Sequence, residues 1–173
     1  MEERTTMNIP VIALRGLTVF PDLTLSFDVE REISIYALDS AMEGDRTIFL
    51  VTQREIATTA PTEEDLYTVG TVCRILQILK TSETSVRVIV EGQQRARIHR
   101  LWQNKPFLQA NVELLEEDFP GRMTPRMEAL IRQTYVIFGE NKELVPNLTD
   151  DFVSAVLDCR DPGRLADFIA QNI

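Results

Sequence analysis

The chain has 173 residues, of which 44% are hydrophobic, 26% charged and 7% aromatic, and this composition excludes a disordered or collagen-like chain. Its 27 acidic residues outnumber 18 lysines and arginines, which gives a net charge of −9 with the single histidine neutral. Because phosphate contacts supply most of the non-specific affinity of nucleic-acid-binding proteins, nucleic acid is a poor default partner for this chain.

The sequence lacks the signals of a membrane, secreted or metal-binding protein. Its uninterrupted apolar runs do not exceed four residues, whereas a membrane-spanning helix needs roughly 20. The first residues contain no apolar signal core. Cys73 and Cys159 are far apart, and with one histidine in the chain they do not form a zinc motif. We therefore expect a cytoplasmic protein with reduced cysteines, no metal, no cofactor and no membrane partner.

The first part of the chain combines short strands with one amphipathic helix. Residues 10–14 form an apolar run typical of a buried strand, and residues 24–29 alternate as a half-buried strand does. Residues 19–22 include proline and aspartate and predict a turn between these strands. Residues 32–43 have apolar side chains at helical spacing and predict a helix that is closed by the following glycine.

More β-structure is predicted downstream of this helix. Apolar and β-branched patterns predict strands at residues 47–53, 69–80, 85–91, 96–101 and 107–114. The polar residues 58–65 predict an exposed loop, and residues 81–84 predict a hairpin turn. Gly92 predicts a bulge or bend. Several short strands with one helix indicate a small barrel or sandwich.

The pattern changes close to residue 118. Proline, glycine and acidic residues here are typical of a domain boundary, and they divide the chain into a β domain, residues 1–118, and a helical domain, residues 119–173. The last predicted helix reaches Ile173 without a capping residue. We therefore expect the chain to be a truncated part of a larger protein.

Three short amphipathic helices are predicted in the helical domain. Thr124, Thr149 and Asp161 are placed as N-caps, and Gly139 is placed to end the first helix. The apolar faces comprise Met127, Leu130, Ile131, Thr134, Tyr135 and Phe138 on the first helix, Phe152, Ala155, Val156 and Leu157 on the second, and Leu165, Phe168 and Ile169 on the third. Helices this short need one another to bury these faces.

The residue patterns of common enzyme sites are missing. The seven glycines are scattered, so the sequence has no phosphate-binding loop, dinucleotide-binding motif or nucleophile elbow. A catalytic triad would depend on His99, which lies among arginines in a predicted strand. The carboxylates at residues 63–64 and 116–118 are in predicted loops, where they are normally solvated. We therefore expect no catalytic site in this chain.

One stretch of the chain is locally basic. It comprises Arg87, Arg95, Arg97, Arg100 and Lys105, and His99 and Trp102 lie nearby in the sequence. One hypothesis is a groove for nucleic acid or an acidic peptide, with Trp102 as a stacking platform. The other is a solvated strand face with paired charges. We favour the second, because no other aromatic residue joins Trp102 and the rest of the chain is acidic.

A series of short motifs runs along the whole chain in a specific order. It comprises Leu14-Arg15, Val19-Phe20-Pro21, Arg31-Glu32 and residues 41–45, 65–72, 75–77, 90–92, 96–98 and 161–167. By the order and spacing of these motifs, the chain resembles the N-terminal domain of the bacterial ATP-dependent protease Lon.

The resemblance implies an α+β fold, with a PUA-like small β-barrel followed by an α-helical bundle. It also implies a function in recognition. In that family the region helps to capture unfolded or damaged proteins and supports assembly of a hexamer, while separate ATPase and serine-lysine protease modules perform the chemistry. Two alternatives stay open: a free-standing adaptor or regulator with the same fold, and an RNA-binding PUA-like module.

Candidate contacts with unfolded proteins lie in the first turn and the following helix, because such binding requires exposed apolar surface. They are Phe20, Pro21, Leu23, Arg31, Glu32, Ile33 and Tyr36. For each apolar member, packing in the core is the alternative. The family that this chain resembles usually has glycine and methionine in place of Asp22 and Leu23, and lysine in place of Ile33. These differences from the family therefore fall among the candidate contact residues.

Overall fold

The computed structural model describes residues 5–116, 122–141 and 149–171. The chain divides into two compact units, residues 1–116 and residues 117–173. The predicted boundary between residues 118 and 119 lies outside the described residues.

The first unit is a mixed β-sheet with one helix. Its described residues form β1 (Thr6–Leu14), β2 (Thr24–Val29), α1 (Glu32–Glu43), β3 (Thr47–Thr52), a 3-10 turn (Glu63–Asp65), β4 (Val69–Lys80), β5 (Val86–Gln103) and β6 (Leu108–Leu114). The strand order within these residues is β2-β5-β4-β3-β1-β6, and β5 also pairs with β6. The pairing of β1 with β3 is parallel, and the other pairings are antiparallel.

The helix and most of the strand positions predicted from the sequence are confirmed, and two predictions are corrected. The first strand begins at Thr6, before its apolar part, because residues 6–11 pair with β6. The strands predicted at residues 85–91 and 96–101 are one strand, β5. In its pairing with β4, Val72 lies opposite Gln94 while the next residue, Cys73, lies opposite Gly92, so the register shifts by one residue. The bulge predicted at Gly92 is therefore confirmed.

Two apolar clusters form the core of the first unit, and β1 and β3 contribute to both. On β1, Ile9, Val11 and Ala13 face one cluster, while Ile12 and Leu14 face the other. A strand buried on both faces has a continuous apolar sequence rather than an alternating one. This explains the uninterrupted apolar runs in both strands.

Helix α1 covers one of these clusters with small and aliphatic side chains. Ala37 and Leu38 are buried against it, and so is Ala41, about one turn further along. The helix follows Arg31, which has an extended backbone and provides no side-chain cap. The packed side chains, rather than the cap, therefore stabilise this helix in position.

The turn at Pro21 and Asp22 packs directly on strand β5. The Asp22 N–H donates to the Gly92 carbonyl at 2.9 Å, and the Gly92 N–H donates to the Leu23 carbonyl at 2.9 Å. Asp22 has a φ of 59°, a left-handed conformation that aspartate tolerates better than most residues. The turn predicted from the sequence is confirmed.

The described part of the second unit consists of α2 (Pro125–Asn141), α3 (Asp150–Asp158) and α4 (Pro162–Ala170). The three N-caps predicted from the sequence are confirmed, because the side chains of Thr124, Thr149 and Asp161 accept from backbone N–H groups three residues later. Ile131, Phe138, Val156 and Leu165 are buried together in a separate core. None of the helices in residues 5–116, 122–141 and 149–171 is long and apolar enough to cross a membrane.

Some side-chain predictions for these helices are wrong. Gly139 does not end α2, which continues to Asn141. Leu130, Ala155 and Leu157 are exposed rather than buried. These three side chains are apolar, as predicted, but the neighbouring described helices do not cover them.

Replacing Gly92 with alanine is expected to destabilise the first unit. A Cβ atom at this position would lie 2.1 Å from the Phe20 carbonyl oxygen, so the turn or the strand would have to move. We expect the free energy of unfolding to fall by about 1–3 kcal/mol, measured by urea denaturation followed by circular dichroism. In the control Gly139→Ala, nothing lies within 4 Å of the new Cβ, and a gain of about 0.5–1 kcal/mol is expected within a helix. Equal stabilities of the two variants would contradict this packing.

Candidate functional site

A groove of about 650 Å³ with a partly apolar lining lies in the first unit. It is called the aromatic groove below and is formed by the start of α1, the chain before the 3-10 turn, and the segment that connects β5 to β6. Its lining comprises Glu32, Ile33, Tyr36, Ala60, Pro61, Thr62, Glu63, Leu101, Trp102, Gln103, Asn104, Lys105, Pro106 and Leu108.

The walls of the aromatic groove include two large aromatic side chains that are accessible to solvent. Tyr36 is 43% exposed and Trp102 is 49% exposed, whereas Pro61 and Leu108 are buried. Exposed aromatic rings next to apolar residues provide a large area that a partner can desolvate. The groove therefore has the composition of a surface that binds apolar or aromatic side chains.

The structure separates the predicted contact residues into two groups. Glu32, Ile33 and Tyr36 line the aromatic groove. Ile33 is half-buried and also packs against a core cluster, so it connects the groove to the core. The Tyr36 hydroxyl donates to a carboxylate oxygen of Glu32 at 2.9 Å, which keeps this ring at the groove wall.

The remaining predicted residues lie elsewhere in the first unit. Phe20, Pro21 and Leu23 belong to the turn on β5, and Pro21 is buried there. The Arg95 guanidinium lies 5.9 Å from the centre of the Phe20 ring, an arrangement typical of a cation–π contact. Arg31 does not line the aromatic groove and is instead part of the frame that supports it.

A buried glutamine connects this frame. Gln53, directly after β3, is 2% exposed and donates its side-chain amide to the carbonyls of Glu55 at 2.7 Å and Thr58 at 3.0 Å. Its oxygen accepts from the Arg31 guanidinium at 3.1 Å, and Arg31 also donates to the Ala13 carbonyl. These hydrogen bonds connect β1, the start of α1 and the loop after β3, so they determine where two walls of the groove lie.

The loop that contains the 3-10 turn is held by three further hydrogen bonds. Thr62 donates its backbone N–H and its hydroxyl to Asp65 Oδ2, each at 2.8 Å. The backbone hydrogen bond contributes most, and the hydroxyl one less, to lowering the pKa of Asp65 below its ordinary 3.8. Their stabilising effect is therefore lost as the pH falls through that lowered pKa. Glu63 Oε2 accepts from the Leu101 N–H at 2.6 Å and connects this loop to β5.

Sequence reasoning missed most of the aromatic groove. Pro61 was expected in an exposed loop and is buried, while Leu101 and Trp102 were assigned only to a strand and a basic stretch. The residues come from three segments that are distant in the chain. The single tryptophan is the one signal that could have pointed to this surface, because tryptophan is enriched at binding sites.

Several side chains of the basic stretch lie on strand β5 and contact partners on neighbouring segments. Arg87 forms a bidentate salt bridge with Asp28, with both contacts at 2.8 Å. His99 lies 3.0 Å from the carboxylate of Glu113, and Arg95 contacts Phe20. These contacts favour the solvated strand face over a nucleic-acid groove.

The described residues contain neither a cluster of metal ligands nor an activated thiol. The described ranges contain no group of three or more histidine, cysteine, aspartate or glutamate side chains arranged to hold a metal ion. Both cysteines are free. Burial raises the pKa of the Cys73 thiol to about 12, so this thiol is an unreactive core side chain.

Comparison with known proteins places the chain in a family. The family model of the ATP-dependent protease La (LON) substrate-binding domain matches residues 8–173. The chain belongs to this family. The chain is 39% identical over 166 residues to the Lon protease of Desulforamulus reducens, covering 96% of this chain and 20% of that protein. It is 35% identical over 173 residues to Lon protease 1 of Bacillus subtilis, covering 100% of this chain and 22% of that protein.

Solved structures agree with the fold of this family. The N-terminal domain of the Mycobacterium avium complex Lon protease matches with a TM-score of 0.67 and 18% identity, over 93% of this chain and 80% of that one. A Lon N-terminal domain protein from Xanthomonas campestris matches with a TM-score of 0.56 and 15% identity, over 95% and 97% of the two chains. The chain spans about a fifth of the length of the Lon proteases it matches.

Replacing Gln53 with leucine is expected to destabilise the frame of the aromatic groove. The substitution removes an acceptor from the Arg31 guanidinium and a donor from two loop carbonyls. We expect a loss of about 2–3 kcal/mol in unfolding free energy and faster protease cleavage between residues 54 and 62. Gln93→Leu, at an exposed position of β5, is the control and should change both measurements little. Unchanged cleavage in the Gln53 variant would contradict the role given to this side chain.

Proposed function

We propose that this chain is the substrate-recognition and oligomer-supporting N-terminal region of a longer Lon-type, ATP-dependent protease. The aromatic groove binds extended apolar segments of unfolded or damaged proteins, with Ile33, Tyr36 and Trp102 as main contacts. The observation that supports this most directly is the exposure of the Tyr36 and Trp102 rings beside one depression.

The chemistry of the groove suits a recognition element that tolerates many sequences. Desolvation of apolar surface depends on area rather than on a particular hydrogen-bond pattern, so it selects unfolded chains over folded ones without selecting one sequence. A volume of about 650 Å³ is within the roughly 300–1,000 Å³ of typical ligand sites. It can therefore take several side chains of an extended segment.

The proposed domain organisation follows the same family. Pairing of β5 with both β4 and β6 connects β1, β3, β4, β5 and β6 in a circle, which supports a small PUA-like barrel within the β domain, residues 1–118. The shared core of α2, α3 and α4 supports an α-helical bundle within residues 119–173.

The proposed parent protein is a cytoplasmic hexamer. Its ATPase and serine-lysine protease modules lie outside this chain, and this chain contributes recognition and subunit contacts rather than catalysis. The similarity to Lon proteases along the chain supports this context. A free-standing adaptor with the same fold is the alternative, and the downstream reading frame distinguishes the two.

Replacing Trp102 or Tyr36 with alanine is expected to weaken binding to an unfolded protein about tenfold, because exposed aromatic side chains at the centre of a contact contribute most of its free energy. The probe is reduced and alkylated lysozyme, and its native form should bind weakly or not at all. Affinity is measured by fluorescence anisotropy at constant salt.

The matched control is Tyr67→Ala. Tyr67 is 49% exposed, as is Trp102, but it lies outside the groove beneath the Arg54 guanidinium. This variant should bind the unfolded probe as the original chain does, and all three variants should retain their melting temperatures. Equal binding of native and unfolded lysozyme, or an equal loss in all three variants, would remove the proposed function of the groove.

A further inference from the structure

A second cavity lies at the other side of the first turn of α1. It has a volume of about 270 Å³ and apolar walls formed by Ile12, Leu14, Leu17, Phe27 and Val29. None of its lining residues lines the aromatic groove. Its volume is below the roughly 300–1,000 Å³ of typical ligand sites, so it suits a single residue rather than a segment of chain.

Two arginines, Arg15 and Arg31, are among the residues that line this cavity. Arg31 donates to Gln53 Oε1 at 3.1 Å and to the Ala13 carbonyl, and Arg15 donates to the Thr58 carbonyl at 3.3 Å. Within the described residues these acceptors are neutral oxygens, and each guanidinium has five donors. Each guanidinium therefore has N–H groups beyond those that make these hydrogen bonds.

The two positive charges also act on each other. The pKa of Arg31 is lowered, mainly by its burial and to a smaller extent by the charge of Arg15. An anion placed between the two groups would offset this repulsion and replace the water lost by the half-buried guanidinium of Arg31.

The start of α1 adds further donors at the same place. Arg31 is the N-cap residue, and its side chain makes no capping hydrogen bond. Glu30, Arg31 and the buried Ser34 all line the cavity, so the first turn of a twelve-residue helix borders it. The N-terminal end of a helix attracts negative charge through its unpaired N–H groups.

The carboxylates on this lining do not occupy the arginines. Asp28 is held by Arg87 through both of its oxygens, at 2.8 Å each. Glu30 is exposed to solvent, where its charge is screened. Arg31 is the one charged residue of this lining that is not fully exposed, so its charge is the least screened one beside the apolar walls.

We propose that this cavity binds the carboxyl terminus of a polypeptide that ends in an apolar residue. The terminal side chain occupies the apolar walls. The terminal carboxylate lies between Arg15 and Arg31 at the start of α1. This site is separate from the aromatic groove and selects a chain end rather than an internal segment.

The test uses the 173-residue chain and a labelled peptide of glycine and serine that ends in leucine. The free acid is expected to bind about tenfold more tightly than the same peptide with an amidated C-terminus, because one charge-assisted contact is lost. Arg15→Gln is expected to remove this difference. Lys80→Gln removes one exposed charge elsewhere and should preserve it.

Each remaining outcome supports or overturns the proposal. Equal affinities for acid and amide, or an unchanged preference in Arg15→Gln, would overturn it. Displacement of the peptide by free N-acetyl-leucine at the same affinity would show that the ligand is a small carboxylate and would overturn the assignment to a chain end. Trp102→Ala should leave binding of this peptide unchanged, so failure of the aromatic groove and failure of this site are distinguishable.

Discussion

The buried side chain of Gln53 holds together the parts of the first unit on which both candidate sites depend. A primary amide has donors and an acceptor, and Gln53 uses both: its nitrogen contacts two loop carbonyls and its oxygen contacts Arg31. An unpaired buried amide would cost much of the stability of a small unit. The loop after β3 and the start of α1 must therefore keep one relative position, and the side chains they carry are positioned with them.

Helix α1 has three surfaces with different uses. Ala37, Leu38 and Ala41 are buried against the core and fix the helix on the sheet. Tyr36 is on the side of the aromatic groove, and Ser34 is on the side of the smaller cavity. Because the buried side chains carry the packing, the exposed ones are free to differ in chemistry without loss of the helix.

The sequence predicts elements better than it predicts sites, and the reason is the range of the interactions involved. Residues 32–43 have a local apolar period, and the helix over Glu32–Glu43 follows from it. The N-caps at Thr124, Thr149 and Asp161 are equally local. The pairing of β5 with both β4 and β6 depends on contacts between distant parts of the chain, and a linear pattern does not specify them.

The difference between local and long-range interactions also explains why the sequence predicts only part of the aromatic groove. Tyr36 was found because it lies on a predicted helix. Pro61 and Trp102 were not placed together because the loop and the strand end meet only after folding. Gln53 gave no signal, since a glutamine at the end of a strand is exposed in most proteins.

The contact between Glu63 and the Leu101 N–H joins an outer loop to the longest strand of the first unit. The walls of the aromatic groove therefore belong to segments that are far apart in the chain but mechanically coupled through the sheet. Under the proposed function, a force on a polypeptide bound there would act on several strands of the sheet at once and not on a single loop. Such a surface would, under the same proposal, keep an unfolded segment bound while that segment is under tension.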